Sequence, residues 1–438
     1  MNLPNAQIEA MPGRRSRAII FLILEGFASL SIAMVIFAVE VWVFTKTGSY
    51  ATFASLALLA ALPAVFVSPL VGPVIDLIPR GMVILGCSAL IVLAGLCAAL
   101  YSEIFQFSVI GAGLLLLTLA LVQTIRWPVL LATVSSLSPP DDVERITAYE
   151  ESVEAAVVVM APILGAAVMG QFGISTVVGL LVLPFMGSIA GVFFLALPRW
   201  SSLASLQNIF RQYLQNFWPD FTFGFRWIIE RKNIFRLLIY ICVLNFGANI
   251  FVTMQVPLAL LLFDAQKVAI ILASGGVGLV VGGIVVSLIG TIRPPVRAIY
   301  MGSAGITMGI AIYSISNSIV QSTLGAFVFM FFHPLVNTAI QVLWRKQAPL
   351  DKQGAIFSVR RAFTSALAPL AIALSVPISV HLAGPIVSSV ARWFPQTMPW
   401  PNEQAATLGF TLVLVALTTW LLIISFHQRK FLESDAPE

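Results

Sequence analysis

Charge is what this chain has least of. Only 10% of its 438 residues are Asp, Glu, Lys or Arg, against roughly 25% in soluble domains. A water-exposed surface cannot be built from so few. With 59% hydrophobic residues and a mean hydropathy of +0.97, the composition describes a chain that crosses a membrane many times. Cysteine is nearly missing: Cys87, Cys97 and Cys242 all lie in apolar segments, an odd number with no disulfide or metal spacing. The three histidines, His333, His381 and His427, show no zinc-ligand pattern, so no metal is expected. There is no Gly-x4-Gly-Lys-Ser/Thr loop for ATP and no nucleophile elbow, so no enzyme is expected. The net charge of +5 is scattered between apolar segments and forms no patch, which argues against a nucleic-acid partner. Arg14, Arg15 and Arg17 precede the first apolar run, which at ~27 residues is too long for the core of a signal peptide.

What is present is a series of long apolar runs. A span needs ~20 such residues, and the runs neither shorten to ~10 nor alternate as barrel strands would. The pattern predicts twelve helices, at 18–44, 50–75, 82–101, 108–134, 153–172, 175–197, 234–257, 268–290, 297–316, 319–343, 354–382 and 405–426. With the N-terminus inside, twenty Lys and Arg fall on the cytoplasmic side and only Lys46, Lys267 and Arg392 on the other. That asymmetry predicts a plasma (cytoplasmic or inner) membrane protein with both termini cytoplasmic. The expected organisation is a cytoplasmic N-terminus (1–17), a six-helix bundle (18–197), a central cytoplasmic loop (198–233), a second six-helix bundle (234–426) and a cytoplasmic C-terminus (427–438). The central loop contains amphipathic pieces at 206–214 and 221–229, read as lying on the membrane surface. One outer loop is enlarged, 384–404, and its stretch 386–393 reads as a short interfacial helix.

Four places carry a family resemblance. Trp42-Val43-Phe44 leads into Thr47-Gly48-Ser49, Trp127-Pro128 sits in the fourth segment, and Gly224-Phe225-Arg226-Trp227 leads into the seventh. The fourth place runs from Asn337 through Gln341, Leu343-Trp344, Asp351, Gln353-Gly354 and Phe357 to Arg360-Arg361. Together they resemble the major facilitator superfamily, and within it the macrolide-efflux-type branch of drug:proton antiporters. The resemblance implies an all-α polytopic fold of twelve transmembrane helices in two six-helix bundles. The family's Gly-x-x-x-Asp-Arg loop between helices 2 and 3 is here Gly72 to Asp76, followed by Leu77, with Arg80 three residues on. Ala355 replaces the Arg of the family's Gln-Gly-Arg-Val. Pro162-Ile163-Leu164-Gly165 is similar to the antiporter Gly-Pro-x-x-Gly element, with Ala161 and Ala166 in place of two glycines. The resemblance makes Gly72, Asp76, Arg80, Glu154, Asp351, Arg360 and Arg361 candidates for the cytoplasmic gating loops.

Charges inside a span cost ~2.5–3.5 kcal/mol each on insertion scales, so they mark function by default. Glu25 lies ~10 Å and Arg126 ~12 Å above the inner ends of their helices, at one depth. The expectation is an ion pair facing a central cavity, either a proton site that loads as the pair opens or a static clamp. Glu40, ~6 Å inside the outer end of its helix, reads as snorkelling or pairing with Lys46, or else as a proton or cation site. Glu150 and Glu151 complement the dipole of the helix they open, and Glu154 is placed to join Arg80 or Arg145. Gln123, the i, i+4 pair Asn245 and Asn249, and the stripe His333, Asn337 and Gln341 are expected to face the interior, as substrate contacts or as hydrogen-bonding glue. His333 is also a candidate proton carrier, since imidazole titrates in the physiological range.

These readings converge on a secondary active transporter that exports a hydrophobic or amphipathic small molecule by alternating access. It would be monomeric in the lipid bilayer and powered by a proton gradient, without a cofactor. Two others stand beside it: an uptake permease of the same fold, and a transporter-derived scaffold, suggested by the altered loop after Gly72.

Overall fold

The structure, a computed structural model, describes residues 14–67, 79–105, 107–137, 143–195, 218–219, 221–289, 294–349, 352–393 and 403–428. Gly72, Asp76, Asp351, the central-loop piece 206–214 and the altered loop after Gly72 lie outside them. The described chain is helical. Its helices are α1 (Arg14–Thr47), α2 (Tyr50–Phe66), α3 (Arg80–Phe105), α4 (Val109–Leu137), α5 (Val143–Gly179), α6 (Val182–Phe194), α7 (Lys232–Leu262) and α8 (Ala265–Ile289). They continue as α9 (Pro295–Ser314), α10 (Ile319–Phe331), α11 (His333–Gln347), α12 (Gln353–Pro377), α13 (Gly384–Trp393) and α14 (Glu403–Gln428).

The described residues contain ten helical segments long and apolar enough to cross a membrane. One of them, Tyr149–Phe194, holds two of the expected spans, and its backbone breaks at Gly173, where φ is +82°. A left-handed residue there is cheap only for glycine. Tyr50–Phe66 is a further apolar helix, of 17 residues. Ile110, Leu183, Phe194, Leu288 and Val320 are exposed, as apolar side chains facing lipid must be.

Three local departures from the expected spans have identifiable causes. The segment expected at 319–343 is interrupted by a turn at Phe332, between α10 and α11. Pro334 has no N–H, and its ring crowds the carbonyl four residues back. The segment expected to end at 382 instead continues through a π-helical turn, Ile378–Ala383, directly into α13. The stretch 386–393 is thus helical as expected, but is the extension of a span. The third concerns α1 and α2, which meet at Thr47-Gly48-Ser49. Gly48, at φ +59°, donates its N–H to the Phe44 carbonyl at 2.8 Å, a left-handed C-terminal cap. Ser49 then caps the next helix, accepting from the Thr52 N–H at 3.2 Å.

The contacts divide the chain into two compact units. The first is Met1–Val43 with Leu59–Phe217. Its core gathers Phe21, Ile84, Val129, Ile146 and Val192 from α1, α3, α4, α5 and α6. The second is Phe44–Leu58 with Trp218–Glu438, so the start of α2 groups with the later helices. The Tyr50 hydroxyl donates to Ser375 Oγ at 2.6 Å, and Thr411 Oγ1 donates to Ser379 Oγ at 3.2 Å in the same buried patch.

Backbone-to-backbone packing through glycine joins α8, α9 and α10. A Cβ on Gly278 or Gly282 would lie 2.4 or 2.1 Å from the carbonyl oxygens of Phe327 and Phe331. One on Gly309 would lie 2.4 Å from the Phe329 nitrogen. Without a hydrophobic drive between helices in lipid, such close approach is what holds them. Phe251 packs beside it, tilted against Phe329 at a ring-centroid distance of 4.5 Å and edge-to-face with Tyr313 at 5.1 Å.

Between α7 and α8, Asp264 accepts from the Lys267 N–H at 2.9 Å and pairs with its ammonium at 2.7 Å. Its carboxyl is held below the ordinary value, first by the Lys267 side chain and then by the Lys267 backbone N–H. The cap is therefore present at neutral pH and is lost only as pH falls through that lowered value. The exposed ion pair adds little. Asp264→Ala should cost about 1 kcal/mol, the worth of an N-cap, and Asp264→Asn only a few tenths, as read by thermal unfolding in detergent.

Candidate functional site

The site is assembled inside the first unit around Glu25. The carboxylate is 5% exposed, on a helix that is otherwise apolar at this depth. Both its oxygens are engaged. Arg126 Nη2 of α4 donates to Oε2, and Ser188 Oγ of α6 donates to Oε1 at 2.7 Å. The Ser188 hydroxyl also meets that of Ser88 on α3 at 3.1 Å. Arg126 is 0% exposed, and its guanidinium lies 4.7 Å above the centroid of the Phe185 ring. The pair expected from equal depth is therefore formed, and four helices meet at it.

The local sequence permits this approach. Gly187 and Gly191 face Leu24, and a Cβ on Gly191 would fall 2.7 Å from Leu24 Cδ1. Glycine at these positions brings α6 close enough to α1 for the short Ser188 side chain to reach Glu25. Arg126 keeps Nε and Nη1 without hydrogen-bond partners among the described residues. The face of Phe185 compensates part of that shortfall by a cation–π contact.

Glu25 also lines a cavity of about 270 Å³ between α1, α4 and α5. Its other walls include Gln123, Trp127, Glu150 and Glu154, with Ile32 and Val157 among the apolar side chains. Among the described residues the lining includes three carboxylates and no Lys, Arg or His. Glu154 is expected to join Arg80 or Arg145, and the Arg145 side chain lies outside the described residues. Glu154 faces the cavity, one turn along the same helix face as Glu150, while Arg80 donates to the Ala132 carbonyl at 2.6 Å. The helix starts at Val143, so Glu150 and Glu151 lie about two turns inside it, beyond the first turn where a carboxylate complements the dipole, and Glu150 lines the cavity. A groove of about 640 Å³ in the second unit, between α9 and α14, is lined by apolar side chains such as Met301, Met308 and Trp420 and, among the described residues, by no titratable group.

Other candidates are placed differently. Glu40 is half-buried, and the ion pairs among the described residues, Arg126–Glu25 and Lys267–Asp264, do not include one from Glu40 to Lys46. Six residues is about one and two-thirds turns, which sets the two on different faces of α1. Asn249 Nδ2 donates to the Asn245 carbonyl at 2.7 Å, and Thr253 repeats the pattern on Asn249 at 2.8 Å. The expected interior stripe is thus satisfied partly by its own helix, as short polar side chains can be. His333 Nδ1 and Asn337 Nδ2 are 3.0 Å apart, and Gln341 accepts from Arg360 Nη2 at 3.3 Å. Arg360 lies 5.4 and 5.2 Å from the ring centroids of Trp344 and Phe357, and Arg361 is exposed. None of Asn245, Asn249, Asn337 and Gln341 lines either space. Among the described residues no three His, Cys, Asp or Glu are grouped to hold a metal ion.

Ser188, Ser88 and Phe185 were not singled out from the sequence. Serine inside an apolar span is common, and the available signal was the small-residue cluster Gly187-Ser188 with Gly191.

The architecture is a bundle of membrane helices with an ion pair buried in its wall beside a lined cavity; together with the family match, this is a membrane transport protein and not an enzyme. The chain belongs to the Major Facilitator Superfamily, whose family model matches residues 21–373. Macrolide efflux protein A of Streptococcus pyogenes is 21% identical over 386 residues, covering 84% of this chain and 87% of the relative. Among solved structures, a peptide transporter POT mutant bound to alafosfalin aligns with TM-score 0.69 at 12% identity, over 98% of this chain and 99% of its own. A mutant of nucleoside transporter NupG aligns with TM-score 0.67 at 12% identity, over 93% and 99%. A bacterial homolog of the human lysosomal transporter Spinster gives 0.65 at 13% identity, over 98% and 99%. At such identities these structures speak for the fold.

Proposed function

We propose that this chain is a proton-coupled exporter of hydrophobic or amphipathic small molecules, working by alternating access from a plasma membrane with both termini in the cytoplasm. The observation that carries the reading is the Glu25 carboxylate, paired with the fully buried Arg126 and itself lining a cavity. A proton reaching Glu25 cancels its charge and weakens its hold on Arg126. The pair then links proton binding to the packing of α1 against α4 and α6. The apolar walls with Trp127 suit a hydrophobic body, and Glu25, Glu150 and Glu154 suit a cationic end, so an amphipathic amine is the class best served. Likeness to a macrolide efflux protein supports export, while the peptide and nucleoside transporters share only the fold.

The test uses inverted membrane vesicles holding a proton gradient, reported by a ΔpH-sensitive dye. Adding a macrolide or another lipophilic amine should dissipate the gradient with the wild-type chain and leave it intact with Glu25→Gln. Full proton coupling in Glu25→Gln would remove Glu25 from the mechanism. No response from the wild type across a panel of such amines would favour the scaffold reading, and accumulation in the opposite sense would favour uptake.

A further inference from the structure

The Glu25–Arg126 pair explains why the carboxylate is tolerated when charged, and leaves open what holds it when neutral. A neutral carboxyl in this place has an O–H to donate, and Arg126 has no acceptor. Among the described residues two side chains hydrogen-bond the Glu25 carboxylate, Arg126 and Ser188, and of these only Ser188 has a chemistry suited to both forms. Arg126 approaches from α4 and donates only. Glu150 and Glu154 stand across the cavity on α5, and Ser29 lines the same cavity from α1 itself. Ser188 approaches from α6, 2% exposed, at 2.7 Å, and a hydroxyl both donates and accepts.

We propose that Ser188 is a positioning residue that serves both charge states of Glu25 by reversing its hydrogen bond, with Ser88 taking up the displaced hydrogen. The proposal rests on the proton-coupling reading above. In the charged state Ser188 donates to Oε1, and the Ser88 hydroxyl donates to Ser188. When a proton binds Glu25, the new O–H donates to Ser188 Oγ. The Ser188 hydrogen turns to Ser88 Oγ 3.1 Å away, whose own hydrogen turns to its helix backbone. No bond between heavy atoms changes, and one proton is gained by the carboxyl. Ser88 is 0% exposed, so this buried pair of hydroxyls has no other evident use at the site. The arrangement lets Glu25 load and unload without leaving a buried donor or acceptor unpaired, a cost that would otherwise slow the cycle.

The experiment follows the carboxylic C=O stretch by infrared difference spectroscopy against pH, on the full chain reconstituted in lipid, and needs no substrate. The band that titrates in the wild type and is absent in Glu25→Gln belongs to Glu25. In Ser188→Ala that band should move to higher frequency, as for a carboxyl that has lost its acceptor. Its midpoint should rise by about 0.5–1 pH unit, because a hydrogen bond to the charged form is the stronger of the two that are lost. Ser88→Ala should shift the midpoint less, and downward, since only the neutral state needs Ser88 as acceptor. An unchanged frequency and midpoint in Ser188→Ala, with the Glu25 band present, overturns the proposal and leaves the coupling role of Glu25 standing. An equal upward shift in Ser88→Ala overturns it too, since general loosening would do the same. Absence of any titrating band that Glu25→Gln removes defeats both readings together.

Discussion

Arg126→Ala should abolish substrate-driven proton movement and cost roughly 3–5 kcal/mol of stability, the range for breaking a buried ion pair from one side. The size of the effect comes from what is left behind. Glu25 is 5% exposed, and without Arg126 it keeps only the Ser188 hydroxyl to hold a charge out of water. The double variant Glu25→Gln with Arg126→Met separates the two consequences. Both charges are gone, the volume is nearly kept, and glutamine can still bond Ser188. Replacing a buried pair by uncharged groups of similar volume is often neutral. Thermal unfolding in detergent should therefore return most of the way to the wild type, while the dye assay in vesicles stays silent. Recovery of proton coupling in the double variant would place the coupling group elsewhere, with His333 the next to examine.

Gly282→Val should be the most damaging single change in the second unit, and Gly278→Val nearly as bad. The added Cβ atoms would sit 2.1 and 2.4 Å from carbonyl oxygens of α10. A backbone oxygen cannot rotate aside as the end of a side chain can, so α8 and α10 must separate along their length. Overpacking of this kind costs about 1–3 kcal/mol and at times more, and here it also breaks the close contact on which association in lipid depends. Gly283 is the internal control, because a Cβ there meets nothing within 4 Å. Gly283→Ala should express and unfold like the wild type, whereas Gly282→Val should accumulate poorly and melt early in fluorescence-detected size exclusion. Equal behaviour of the two would mean that the helices are not packed backbone to backbone.

Much of the fold was legible because hydropathy needs no tertiary information. A 20-residue apolar run reads the same wherever its neighbours are. The Glu25–Arg126 pair was legible for a related reason: each residue is a charge in an apolar helix, and depth along a helix follows from counting. Rotation about the helix axis does not. Glu150 reads as a helix-start carboxylate and Glu154 as a partner of Arg80 or Arg145, because nothing in their spacing says which face looks into a cavity. Asn245 and Asn249 show the same gap, since i, i+4 spacing serves an interior stripe and a bond to the helix's own carbonyl equally well. Ser88 and Ser188, 100 residues apart, had no sequence contrast at all. The interruption at Phe332 was readable in principle from Pro334, but proline is tolerated inside membrane helices often enough that hydropathy outweighed it.

The bond from Tyr50 to Ser375 has a consequence for how the protein is made. The two residues are 325 positions apart in the chain. At about 5–20 residues per second of synthesis, roughly 15–65 seconds pass between the emergence of one and of the other. During that interval the first turns of α2 are in the membrane without their partner, and the Tyr50 hydroxyl has only transient company. The second unit cannot close until the last helices arrive. Early insertion of α2 is therefore provisional, and a quality-control machinery that samples the nascent chain would meet this segment exposed for most of its synthesis.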